Sequence, residues 1–131
     1  MNSEIDKTNL LWVFNRTSDE KAILRKLGEG INTRIFVGKD SMLSFVRLEP
    51  NTQGSIHSHP EEQWGVLIEG KCMRLQDGKE IEMEVGDFWY SGPNVEHGIR
   101  TTDSHAVILD IFSPPRPAYK EGGEGFGAKI D

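Results

Sequence analysis

Gly54-Ser55-Ile56-His57-Ser58-His59-Pro60-Glu61-Glu62-Gln63-Trp64-Gly65-Val66-Leu67-Ile68-Glu69-Gly70 is the stretch on which the reading of this chain turns. His57 and His59 are two residues apart, and the side-chain period of a β-strand is two, so both imidazoles leave one face. Pro60-Glu61-Glu62 breaks the strand, Gln63 starts a new apolar run over Trp64–Ile68, and Gly70 ends it. Two imidazoles and an oxygen donor on adjacent strands, facing one interior, can hold a divalent transition metal. A third imidazole stands downstream at His97.

The rest of the chain reads as strands and turns. Asn32–Val37, Met42–Leu48, Cys72–Gln76, Lys79–Val85, Phe88–Tyr90, Glu96–Thr101 and Ala106–Phe112 carry β-branched, aromatic or alternating apolar residues. Turns are predicted at Gly38-Lys39-Asp40, Pro50-Asn51, Glu69-Gly70-Lys71, Gly86-Asp87 and Gly92-Pro93-Asn94, and Asp77-Gly78 is a strong hairpin signal. Short strands with turn signals about every 7–12 residues mean a sandwich or barrel. Thr17-Ser18-Asp19-Glu20 has the form of a capping box, but Gly28 and Gly30 follow closely, and a strand over Ala22–Lys26 is equally consistent. Leu10-Leu11-Trp12-Val13-Phe14 is apolar at every position, which predicts packing along the barrel edge or on a partner subunit. Ser113-Pro114-Pro115-Arg116-Pro117 can be neither helix nor central strand, and the glycine-rich segment after it reads as disordered or a flexible flap. The expected organisation is an N-terminal arm over 1–21, a barrel over 22–113 and a Pro/Gly-rich tail over 114–131.

Composition narrows the function. The chain has 131 residues, enough for one domain with a real core, and a formal net charge of −6. That charge offers no basic stripe to nucleic acid or to an anionic membrane surface. A single cysteine excludes an internal disulfide and suits a reducing cytoplasm. No stretch approaches the ~18 apolar residues of a membrane helix, and the acidic N-terminus is unlike a signal peptide.

His57, His59, Gln63 and Gly70, at these spacings, resemble the first sequence motif of the cupin superfamily, with Asn51 in place of its leading glycine and Gln63 in place of the usual glutamate. Gly86 and His97 match the ends of the second motif, whose internal turn is shifted to Gly92-Pro93-Asn94. The resemblance implies an all-β, double-stranded β-helix (jelly-roll) barrel and a homodimer. It also implies one divalent transition metal per chain (Zn, Ni, Mn or Fe) on His57, His59, Gln63 and His97. The neutral Gln63 leaves the ion its full charge and Lewis acidity. Asp110-Ile111-Phe112-Ser113-Pro114-Pro115-Arg116 is similar, at Asp, Phe and Arg, to a signature of the KdgF group of pectin-degradation cupins. That group opens the ring of 4,5-unsaturated uronates to linear keto forms. By this resemblance Asp110 moves a proton, Phe112 shapes the pocket and Arg116 pairs with the carboxylate of a small anionic sugar.

The residues leave other readings open. Asp110 lies in the apolar run Val107–Phe112, and a buried carboxylate needs a partner or a function. Arg34 and Arg47 are candidate partners. Arg116 is alternatively a surface or interface arginine. Trp64, Trp89 and Tyr90 read as core or interface, Cys72 as a packing residue and His105 as an exposed turn residue. Two rival functions remain: an Fe- or Mn-dependent dioxygenase on a small organic substrate, and a non-catalytic sugar- or metal-binding module. Oxygen consumption separates the first, and the facing of Asp110 and Arg116 relative to the metal bears on the second.

Overall fold

β1 (Ile23–Gly28), β2 (Ile31–Val37) and β3 (Met42–Leu48) form an antiparallel meander in the computed structural model, which describes residues 5–127 and the backbone of 129 and 130. The chain then crosses to a second sheet with β4 (His57–Ser58), returns with β5 (Glu62–Gly70), and makes a hairpin of β6 (Cys72–Gln76) and β7 (Lys79–Met83). β8 (Phe88–Ser91), β9 (His97–Arg100) and β10 (Ala106–Ser113) complete the barrel, and β11 (Gly123–Glu124) and β12 (Lys129–Ile130) extend its edges. A seven-stranded sheet in the order β11-β1-β2-β3-β10-β5-β8 faces a five-stranded sheet in the order β12-β4-β9-β6-β7. Pairing within both sheets is antiparallel except between β1 and β11. The result is a jelly roll.

Turn chemistry fixes the registers. Asp77 and Gly78 both take positive φ, 55° and 66°, the requirement of a tight hairpin that matches strand twist. Gly65 is required for a different reason: a Cβ there would sit 2.3 Å from the Trp89 indole nitrogen, so its absence lets that ring lie across β5. Between the sheets, Leu27, Ile31, Ile35, Met42, Val46, Leu48, Leu67, Ile99 and Ile108 form the apolar core, with Cys72 buried among them as a free thiol.

Several local expectations change. No helix starts at Thr17: Asn15 Oδ1 accepts from the Thr17 and Ser18 amides, and Asp19 Oδ1 accepts from the Lys21 amide, so these side chains satisfy a run of turns. In the arm, Leu11 and Trp12 are 84% and 76% exposed, while Phe14 sets its ring edge-on to Phe36 at 5.3 Å. The histidine strand is only two residues long, and His59 lies just beyond it. The glycine-rich segment is packed rather than loose over its described part. Arg25 donates from its guanidinium to the carbonyls of Ala118, Glu121, Gly122, Glu124 and Gly125, strapping residues 118–125 to β1.

Candidate metal centre

Strand pairing brings the histidines together. His57 on β4 lies opposite His97 on β9, with ring centroids 4.6 Å apart. His59 approaches both, at 5.7 Å and 5.0 Å. Gln63 enters from the other sheet, flanked in register by Phe112 on β10 and Ser91 on β8. All four side chains are at most 5% exposed.

Each imidazole is oriented through Nδ1. His57 Nδ1 meets the Ser55 carbonyl at 2.8 Å, His59 Nδ1 the Glu61 carbonyl at 3.0 Å, and His97 Nδ1 the Val95 carbonyl at 2.9 Å. A carbonyl oxygen only accepts, so each Nδ1 carries the proton and each Nε2 presents a lone pair. His97 Nε2 is buried with no hydrogen-bond partner. His59 Nε2 lies 3.0 Å from Gln63 Oε1. Gln63 favours the charged form of Asp110, as an amide nitrogen turned toward the carboxyl does, and this leaves Oε1 facing the histidine. Two acceptors this close share no proton, and a cation bound by both removes the conflict. One ligand atom from each of the three histidines lies within 4.8 Å of the others. The donor set therefore fits a divalent transition ion. Burial holds the imidazoles neutral, with pKa values pushed down to about 4 for His57 and His59 and about 2 for His97.

The same cavity contains Asp110, Phe112, Arg116 and an unforeseen residue, Arg74. Asp110, on β10, lines this cavity. Desolvation dominates there and raises its pKa to about 6, against the opposing pull of Arg74, the Gln63 amide and Arg116. Neither arginine weighed from the sequence is its partner: Arg47 pairs with Glu49 at 3.1 Å, and Arg34 donates to the Asp19 carbonyl. Arg74 on β6 is 5% exposed and donates from Nη2 to Ser91 Oγ at 2.7 Å and from Nε to Gln76 Oε1 at 3.3 Å.

Arg116 is 2% exposed, so it is not a surface arginine. Its guanidinium lies 4.1 Å over the Tyr119 ring and 5.2 Å from Phe112, with Nε 3.8 Å from Glu61 Oε1 and Nη2 donating to the Phe126 carbonyl. Phe126 packs on His57 at 4.5 Å. The enclosed space beside the histidines is about 30 Å³, room for roughly one water. Arg116 and Phe126 line this space and also an open groove of about 710 Å³ outside it. The strap thus separates an inner cavity from an outer groove.

Sequence reasoning missed Arg74, Glu61 and Phe126. Arg74 had a signal: it is in phase with Cys72 on a strand, on the face a packing cysteine selects. Phe126 had none, since nothing local returns the tail to the barrel. Trp89 is inward and buried, whereas Trp64 and Tyr90 face outward at 44% and 42% exposure. His105 pairs with Glu69 at 3.2 Å, away from the cavity.

Residues 44–112 match the cupin domain family model. The pectin degradation protein KdgF of Dickeya dadantii is 26% identical over 103 residues, covering 77% of this chain and 94% of that protein. Among solved structures, an RmlC-like cupin from Shewanella frigidimarina superposes with a TM-score of 0.71 at 22% identity, over 81% of this chain and 94% of that one. KdgF from a Halomonas species does so with a TM-score of 0.68 at 23% identity, over 72% and 88%.

Proposed function

The chain belongs to the cupin domain family, and from that premise we propose that it is a metal-dependent enzyme opening the ring of a 4,5-unsaturated uronate or a similar small acidic sugar. The likeness to a pectin degradation protein supports the substrate class. The observation that carries the chemistry is that Asp110 and Gln63 line one cavity with His57 and His97, with His59 Nε2 3.0 Å from Gln63 Oε1.

His57, His59, Gln63 and His97 hold the ion, which when bound supplies Lewis acidity toward negative charge developing on a substrate oxygen. Zn, Ni, Mn or Fe suits this donor set. Asp110 is the proton carrier. It lines the cavity that the histidines and Gln63 share, and burial favours its protonated form, so it has a proton to give. Phe112 walls the cavity beside His59, with ring centroids 5.6 Å apart. Arg116, at the boundary between outer groove and inner cavity, draws in an anion despite the net charge of −6.

Two further proposals follow. A homodimer would cover Trp64, Phe88 and Tyr90, which are 44%, 69% and 42% exposed, together with Leu11 and Trp12 of the arm. A reducing cytoplasm suits the free thiol of Cys72. No helix among the described residues is long and apolar enough to cross a membrane.

The test is incubation of metal-loaded protein with a 4,5-unsaturated uronate, following loss of the C=C absorbance against a protein-free control. Acceleration that vanishes in Asp110→Asn supports the assignment. No acceleration at full metal occupancy overturns the substrate, and oxygen uptake with small organic acids then tests the dioxygenase reading.

A further inference from the structure

The cavity contains two buried guanidiniums, and they are not equivalent. Arg116 already has an acid beside it, Glu61 at 3.8 Å, and one of its nitrogens donates to the Phe126 carbonyl. Arg74 has only neutral acceptors. Ser91 Oγ and Gln76 Oε1 take two of its nitrogens, and its flat face lies 5.5 Å from the Trp89 ring. Among the described residues, no carboxylate oxygen comes within 4.0 Å of Arg74, and its Nη1 makes no hydrogen bond, as is also true of the buried Nη1 of Arg116. An arginine does not shed its proton under such conditions. The charge of Arg74 is opposed only by Asp110, which lines the same cavity without reaching ion-pair distance, and its planar fork is left to an incoming carboxylate.

Register places this fork near the metal ligands. Gln76 is directly opposite His97 on the neighbouring strand, and Arg74 is two residues further along the same inward face. That step is about 7 Å. A small molecule with a carboxylate and a second oxygen a few bonds away spans it once Arg116 and Phe126, which stand between cavity and outer groove, move aside, since the closed cavity holds roughly one water. The seat is held firmly: Ser91 is fully buried and donates to Gln76 Oε1 at 2.5 Å, so the two groups that orient Arg74 also lock each other.

We propose that Arg74, rather than Arg116, is the seat of the substrate's carboxylate, and that it selects acids over neutral sugars at the inner end of the cavity. This rests on the uronate reading and refines it: Arg116 meets the anion at the boundary with the outer groove, and Arg74 holds it during the reaction.

The experiment uses Zn²⁺-loaded protein and the indole N–H signal of Trp89, the ring beside Arg74. Glycolate and its neutral isostere glycolamide are titrated in turn. Glycolate binds more tightly by about 10- to 100-fold, the range of a charge-assisted contact, and perturbs Trp89. Arg74→Gln abolishes the preference with metal content unchanged, Arg74→Lys retains part of it through its point charge, and Arg116→Gln keeps it. Far-ultraviolet circular dichroism and melting temperature verify that each variant is folded, and Arg74→Lys decides if Arg74→Gln is not. An undiminished preference in both Arg74 variants, loss of preference in Arg116→Gln alone, or a Trp89 signal indifferent to glycolate overturns the assignment. A second arm compares turnover of the unsaturated uronate and its methyl ester. No turnover of either, with the glycolate preference intact, removes the uronate reading and leaves the anion seat standing.

Discussion

The two ends of the barrel interior are built from the same strands and differ in what they bury. At one end Ile31, Leu48 and Ala106 sit side by side across β2, β3 and β10, each at most 1% exposed, with Val46 and Ile108 one layer in. Two steps further along β10 the inward row continues as Asp110 and Phe112, and the neighbours become Gln63, Arg74, Arg116 and three imidazoles. The first end gains free energy from apolar burial alone. The second enclosed end places desolvated charges and unsatisfied lone pairs in a space too small for bulk water. One barrel thus divides its labour along its axis: the apolar end holds the strands rigid, and the polar end uses that rigidity to keep reactive groups dry and aligned.

Asp110→Asn is the sharpest way to break this contrast. It lowers turnover of the unsaturated uronate by about 10²- to 10⁴-fold, the usual contribution of a positioned proton carrier. The metal-free variant melts no earlier than the parent, because a desolvated carboxyl has been removed. Leu48→Ala tests the other end. It lowers unfolding free energy by about 2–5 kcal/mol in denaturant titrations, while metal stoichiometry in the folded fraction stays the same.

Acid sharpens the comparison further. In the unfolded chain the histidines bind protons near pH 6.5, whereas in the fold burial pushes His57 and His59 down to about 4 and His97 to about 2. Between those limits the unfolded state holds more protons, so the metal-free protein loses stability as pH falls from 6.5 toward 4. Each imidazole contributes about 2–3 kcal/mol of that loss, read from melting temperature across a pH series. Asp110 acts oppositely and partly offsets it: its raised pKa favours the fold at acid pH, a contribution lost as pH rises through about 6. A melting temperature that rises on acidification from pH 6.5 would mean that the imidazoles are not held neutral. Trp64→Ser has the smallest effect, since the residue touches neither end. The proposed homodimer predicts that this substitution shifts sedimentation toward monomer, with turnover changed less than about twofold, in line with surface substitutions elsewhere.

The barrel was legible because strand period and turn chemistry are local. Asp77-Gly78 takes the positive φ angles its sequence announces, and the alternation over Met42–Leu48 matches its buried face. The histidine trio was legible through spacing, although β4 proved too short to carry His59. What stayed hidden depends on contacts across the barrel. Arg74 reads as an ordinary strand cation until Ser91 and Gln76 are placed around it. The tail reads as loose because glycine composition says nothing of Arg25, a guanidinium about a hundred residues earlier that satisfies its carbonyls.

That last feature bears on the order of events as the chain folds. The contacts of Arg25 with the strap close loops of 93 to 100 residues, whereas the β1–β2–β3 meander and the β6–β7 hairpin close loops of a few. Loop closure over such separations is entropically the more costly and comes late. On this entropic ground the barrel forms first with its mouth open, and the strap then docks Phe126 over His57 as the final step. Pulse-labelled hydrogen exchange during refolding would show it, with the amide of Gly125, which donates to the Lys26 carbonyl, becoming protected after those of β2 and β3.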